Sequence, residues 1–167
     1  MKYKEAYHQL SEFGHKLIEQ PSLEEGLPMI AEYARSLVGA QRCSIYIHDK
    51  NKRKLWTMLS DGISEIVIND DEGIAGASLH IAEPIIVNDV RNDPRFFSKI
   101  DKESGFVTKN VIAVPILNSN GVPIGVFQMI NSKDGAFDEE DLKFITFFSN
   151  FIKSYIELAI LNRKIEK

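Results

Sequence analysis

The C-terminal segment constrains this chain more than any other feature. From Asp138 to Ile165 the sequence reads as one helix, about 42 Å long at 1.5 Å per residue. A compact chain of this length has a radius of gyration of roughly 15 Å, so such a helix must cross the whole molecule and its end is expected to project. Asp138 supplies the N-cap and Asp141 stands at the third helical position, while Phe137 and Leu142 can close a hydrophobic staple. Acidic residues 138–141 lie at the positive end of the helix dipole, and Arg163, Lys164 and Lys167 lie near the negative end. One apolar stripe runs through Phe144, Phe148, Phe151, Tyr155, Leu158 and Ile165. A second, about 100° round the helix, runs through Leu142, Ile145, Ile152, Ile156 and Ala159. One stripe is enough to dock a helix on its own sheet, and two call for a second partner.

The N-terminal end is helical as well. Tyr3, Ala6, Leu10, Phe13 and Leu17 recur at steps of 3 and 4 until Pro21. Ser22 and Glu25 form a capping box for a second helix that stops at Gly39. The period then falls to two. Cys43, Ile45 and Ile47 alternate with Ser44, Tyr46 and His48, as in a strand with one buried face. Further strands are expected at 54–59, 65–68, 83–90, 111–117 and 124–130, with a short helix at GIAGAS (73–78). Asn120-Gly121 marks the last hairpin. Pro115 suggests an edge or a bulge within its strand. The polar stretch 91–110 is too long to be featureless in a compact domain; it reads as a short helix starting near Pro94 followed by a loop. This order of elements gives an α+β fold with a mainly antiparallel central sheet. The terminal helices cover one face, and the 60–83 and 91–110 loops are left for the other.

Composition narrows the function. The chain has 167 residues, 44% hydrophobic and 26% charged, with a net charge of -4. That is the length of one domain and excludes disorder. The acidic balance argues against non-specific nucleic-acid binding. No apolar run approaches the roughly 18 residues of a membrane span, and no signal peptide opens the chain. The lone Cys43 points to a reducing, cytoplasmic setting; alternating with Ile45 and Ile47, it reads as a small core residue. His8, His15, His48 and His80 are scattered, and no HExxH, CxxC, GxxxxGK or GxSxG motif occurs. Neither a metal site nor an enzymatic activity is therefore expected. Trp56 reads as a sheet-face packing residue.

DEGIAG (71–76), NDPRF (92–96), SGFVTKN (104–110), VPI (114–116) and IGVFQMIN (124–131) occur in this order, followed by Phe137 and an acidic helix start. Together these motifs resemble a GAF domain, with a pattern similar to the GAF domains of cyclic-nucleotide phosphodiesterases and bacterial adenylyl cyclases. The resemblance covers residues 22 to about 155. It implies a PAS-like fold, with a six-stranded sheet, helices on one face and a ligand pocket formed by loops and short helices on the other.

The resemblance also implies site residues. Ser44 matches a ligand-contacting serine on the first strand. Asp61 matches the aspartate of an aromatic-aspartate-glycine turn, although Ser60 stands where the aromatic belongs. Ile74 and Ala75 match the helix start whose N–H groups meet the cyclic phosphate, as helix N-termini favour anions. Ser104 and Thr108 match two ligand hydroxyls. For these residues the competing reading is turn-capping and strand-face polarity. Asn131, Lys133, Phe137 and Asp141 match part of a further signature, with Lys133 displaced by one residue and Leu142 where the last acid belongs. Lys133 and Asp141 are expected to pair, tying the hairpin to the long helix; the alternative is two solvated charges.

The function expected is that of a regulatory sensor. It would enclose a cyclic nucleotide, or a similar anionic or purine-like ligand, and pass a helix shift to an output domain. The alternative is a ligand-free GAF domain that serves as a dimerisation and signal-transmission module. Residues 1–21 would be a signalling and dimerisation helix, 22–155 the GAF domain, and 156–167 the lead towards an output domain. A homodimer is expected through the terminal helices at Leu10, Phe151, Tyr155 and Leu158, because an apolar stripe left in water is rarely seen on soluble monomers.

Overall fold

The computed structural model of the protein describes residues 2–18, 23–60 and 65–166. Helices α1 (Lys4–Ile18) and α2 (Leu23–Val38) precede strands β1 (Ala40–Asp49), β2 (Lys54–Ser60) and β3 (Val67–Asn69). Helix α3 (Gly73–Ile81), strand β4 (Ile85–Val87), a 3-10 turn (Val90–Asn92) and helix α4 (Lys99–Ser104) follow. Strands β5 (Val111–Leu117) and β6 (Pro123–Ser132) lead into α5 (Glu139–Glu166). The Ser22 capping box lies outside the described residues.

The six strands form one sheet in the order β3-β2-β1-β6-β5-β4, and every neighbouring pair is antiparallel. Both faces are covered, so each carries a core. On one side α1, α2 and α5 pack over Cys43, Ile45, Ile112, Val114, Phe127 and Met129. On the other, α3 and the segment before α4 pack over Tyr46, Leu55, Val111, Ala113 and Val126. This corrects the expectation of one buried face for β1: Ser44 and Tyr46 are buried along with their neighbours, because α3 and its flanking segments roof the second face.

Pro115 lies in β5, which is an internal strand. Its place is nevertheless a local edge, because β4 pairs with β5 only at Val111, Ile112 and Ala113. The missing N–H therefore costs no ladder bond to β4. The short helix of the 91–110 segment begins at Lys99 rather than near Pro94. Asp93 determines this, because its carboxylate accepts from the Arg95 backbone N–H and guanidinium and holds residues 93–95 in a turn. Arg95 in turn holds the Asp93 carboxyl below the usual carboxylate range.

The start of α5 is a reciprocal cap. The Asp141 N–H donates to Asp138 (2.8 Å) and the Asp138 N–H donates to Asp141 (2.9 Å). The expected Lys133–Asp141 pair is not formed. One Asp141 oxygen takes Lys2 (2.8 Å) and the Tyr3 hydroxyl, and the other takes the Asp138 N–H. Lys133 is exposed, with its backbone N–H on Gly39. Asp141 is instead buried beneath the start of α1.

Two of the residues expected at a dimer interface touch their own chain. A Cβ on Gly14 of α1 would lie 3.2 Å from the Phe151 ring, and one on Gly26 of α2 would collide with the Tyr155 hydroxyl. The small residues of α1 and α2 thus let those rings approach, although Phe151 remains 40% exposed. Leu158 is exposed. The Leu10 side chain lies outside the described residues.

Candidate functional site

Residues far apart in the sequence meet around one cavity between the sheet and helices α3 and α4. Its walls include Ser44 and Tyr46 of β1, Gln128 and Ile130 of β6, and Ile66 and Ile68 beside β2. Gly73, Ile74 and Ala75 of α3 form one end. Phe96, Phe97, Ile100, Asp101, Phe106 and Thr108 close it from the 91–110 segment. The cavity measures about 60 Å³, room for a few waters at about 10–15 Å³ each.

The sequence explains how α3 comes to point at this space. Gly73 has φ 72°, which opens the helix with a left-handed turn, and a Cβ on Gly76 would sit 2.9 Å from the Asp70 carbonyl oxygen. Small residues in the GIAG run therefore bring the first turn of α3 against the preceding chain. No side chain caps that turn, and it contains no acidic residue. Its N–H groups carry the positive end of the helix dipole, and Gly73, Ile74 and Ala75 line the cavity.

The polar groups are few and fall into two pairs. Ser44 faces Gln128 across the β1–β6 ladder, and both line the cavity. Burial pushes the Tyr46 phenol well above its ordinary pKa, so it stays neutral. Opposite them, the Asp101 carboxylate accepts the Thr108 hydroxyl and the Thr108 N–H, each at 2.7 Å. Behind Thr108, Asn110 accepts from the Ser132 N–H and donates to the Gly135 carbonyl. Asn131 accepts from the Lys109 N–H and donates to the Val107 carbonyl and to Gln41. The Thr108 segment is thereby tied to the end of β6.

Of the residues predicted to bind ligand, Ser44, Ile74, Ala75 and Thr108 are brought together here. Asp61 lies outside the described residues. Ser104 does not line the cavity: it is exposed, its hydroxyl accepts the Phe106 N–H, and it lines an adjoining groove that shares Ile66, Ile68, Phe97 and Ile100 with the cavity. Sequence reasoning missed Gln128 and Asp101. Gln128 had a signal, as one amide in a strand whose other central side chains are apolar. Asp101 had none, since the mixed charges of KIDKES look like any solvated helix face.

A sequence model of the GAF domain family matches residues 22–156. The chain belongs to this family. A probable 3',5'-cyclic phosphodiesterase (pde-5) of Caenorhabditis elegans is 27% identical over 160 residues, covering 87% of this chain and 22% of that protein. A dual 3',5'-cyclic-AMP and -GMP phosphodiesterase 11A of Takifugu rubripes is 31% identical over 130 residues, covering 69% of this chain and 14% of that protein. The chain thus spans less than a quarter of the length of either relative. Among solved structures, the GAF domain of a Coxiella burnetii phosphoenolpyruvate-protein phosphotransferase superposes with a TM-score of 0.82 at 20% identity, covering 95% of this chain and 96% of that one. A Neisseria meningitidis free methionine-R-sulfoxide reductase, solved with its substrate, gives 0.76 at 19% identity, covering 92% and 89%. These superpositions extend the GAF fold, with its six-stranded antiparallel sheet, across nearly the whole chain.

Proposed function

We propose that this GAF domain is a regulatory sensing module rather than an enzyme, and that its cavity takes a cyclic nucleotide or a similar anionic, purine-like molecule. One observation carries the reading: the uncapped first turn of α3 and a small set of polar groups converge on a single apolar-walled space. The N–H groups of Ile74 and Ala75 suit an anion. The Gln128 amide offers a donor and an acceptor to a base edge, with Ser44 beside it. Asp101 and Thr108 offer an acceptor and a hydroxyl to a sugar or phosphate. The phosphodiesterase names of the sequence relatives support the same ligand class. Ligand entry would require α4 to move outwards, since about 60 Å³ is far below the roughly 300 Å³ of the smallest ordinary ligand pockets.

That small volume also favours the second reading, a domain whose own aromatic rings fill the pocket and which serves as a dimerisation and transmission module. In either reading the terminal helices join two copies and lead to an output domain, and the protein works in the cytoplasm. No helix among the described residues is long and apolar enough to cross a membrane.

Isothermal titration of the folded, empty protein with cyclic AMP and cyclic GMP separates the two readings. Saturable heat with either nucleotide, reduced in Gln128→Ala, is the expected result. No heat at millimolar nucleotide would end the cyclic-nucleotide reading and leave the ligand-free one.

A further inference from the structure

Helix α4 is the exposed wall of the cavity. It has six residues, none of them buried, and ends on Gly105 at φ 75°. The segment 96–106 is held to the body by the rings of Phe96 and Phe97, by Ile100, by the polar contacts of Asp101, and by Phe106, over which the Arg42 guanidinium of β1 sits at 4.2 Å. One of these contacts comes from outside the cavity. Arg91, in the 3-10 turn, donates Nη2 to the Asp101 carboxylate at 2.9 Å. The same guanidinium lies 5.2 Å from the centre of the Phe96 ring. Arg91 therefore grips the segment at two points, one before α4 and one within it.

We infer that Arg91 is the positioning residue of a lid: through Asp101 and Phe96 it holds α4 against the cavity and keeps the Thr108 hydroxyl engaged with Asp101 until a ligand takes its place. The inference rests on the reading that the cavity takes a ligand, because only then does the closure have something to exclude. The chemistry of the exchange is specific. With the lid shut, one Asp101 oxygen is taken by the Thr108 hydroxyl and the other by Arg91 and the Thr108 N–H. A ligand that uses Thr108 as a donor must supply an acceptor in place of Asp101. A ligand that uses Asp101 must supply an N–H or O–H in place of Thr108. A molecule with both an anionic acceptor and a hydroxyl or amine donor satisfies both partners at once. A purely apolar molecule offers neither partner a replacement and leaves the Asp101–Thr108 pair in place.

The latch is local. Arg91 is half exposed and meets the cavity-side core only through the partly buried Phe96 ring, so its removal should loosen the lid and leave the sheet intact. Amide hydrogen exchange, read by mass spectrometry on the ligand-free protein, measures this directly. In Arg91→Ala, amides of residues 97–106 are expected to exchange three- to tenfold faster than in the wild type, with β5 and β6 unchanged. Arg91→Lys keeps a cation for Asp101 and should fall between the two. The wild type in 1 M NaCl, where screening acts within about 3 Å, should loosen in the same segment and provides the test even if a variant folds poorly. Wild-type exchange rates at 97–106 in a folded Arg91→Ala, or an equal acceleration throughout the sheet, would overturn the latch. Because this measurement uses no ligand, a failed nucleotide titration removes the ligand reading without deciding the latch.

Discussion

Asp70 stands where β3 turns towards α3, buried, with three basic side chains around one carboxylate. His48 of β1 lies 3.0 Å from one oxygen, and the Arg53 guanidinium donates to the other at 3.4 Å. The His80 ring of α3 lies 3.7 Å away. The His48 hydrogen bond, more than the charge of Arg53, holds the Asp70 carboxyl below its ordinary value of 3.8. A depressed carboxylate contributes stability above its ordinary pKa and loses that contribution as pH falls through the folded pKa. Asp70→Asn is therefore expected to cost about 1–3 kcal/mol at pH 7. The gap to the wild type should narrow below pH 3.8. Urea midpoints at pH 7 and in acid would check this, and a gap independent of pH would refute it.

At the level of elements, α1 is joined to α5 by a polar contact inside an apolar one. The Tyr3 ring stacks on Phe144 with centroids 4.5 Å apart, and Tyr7 meets Phe144 and Phe147 edge-on. The Tyr3 hydroxyl reaches the buried Asp141 carboxylate beside the Lys2 ammonium. Burial first, and Asp141 second, raise the Tyr3 phenol far above its ordinary pKa, so it remains a donor at any physiological pH. The Asp141 hydrogen bond also raises the Lys2 ammonium, and the Asp141 N–H keeps the Asp138 carboxyl low. Tyr3→Phe removes one bond to a charged acceptor and should cost about 1.5–3 kcal/mol. Tyr3→Ala also loses the stacked ring and should cost about 3–5 kcal/mol. Chemical denaturation of both variants distinguishes the contributions. A neutral Tyr3→Phe would mean that packing alone docks α1.

Across the whole molecule, the sheet separates a helix-side core from a cavity-side one, and α5 overhangs the first. Phe144, Ile145, Phe148, Ile152 and Ile156 of α5 are buried, while Phe147, Phe151, Leu158 and Leu161 stay 40–56% exposed. At 100° per residue those four fall within a single stripe. Fully burying a large apolar side chain contributes about 1.5–3 kcal/mol, so a second copy seated on this stripe gains enough to offset much of the cost of association. Leu158→Glu is expected to convert a dimer to a monomer in light scattering with little change in the stability of the fold, because Leu158 is outside both cores. A monomeric wild type at roughly tens of micromolar, or an undisturbed dimer in the variant, would count against this seam.

What the sequence by itself determined is local or periodic. The reciprocal cap of α5, the helices at both ends and the β5–β6 hairpin follow from spacing and capping chemistry within a few residues. The family resemblance implied Ser44, Ile74, Ala75 and Thr108, and all four line one cavity. Only the tertiary structure decided which polar groups meet. Thr108 is paired with Asp101 because α4 folds back over the cavity, and Gln128 joins Ser44 because of the register between β1 and β6. Asp141 takes Lys2 and Tyr3 rather than Lys133 because α1 lands on the start of α5. Phe151 and Tyr155 contact glycines of their own chain because α1 and α2 lack side chains at those points. A side chain's period and its cap depend on near neighbours along the chain, whereas its partner depends on how distant elements share the limited space around one sheet.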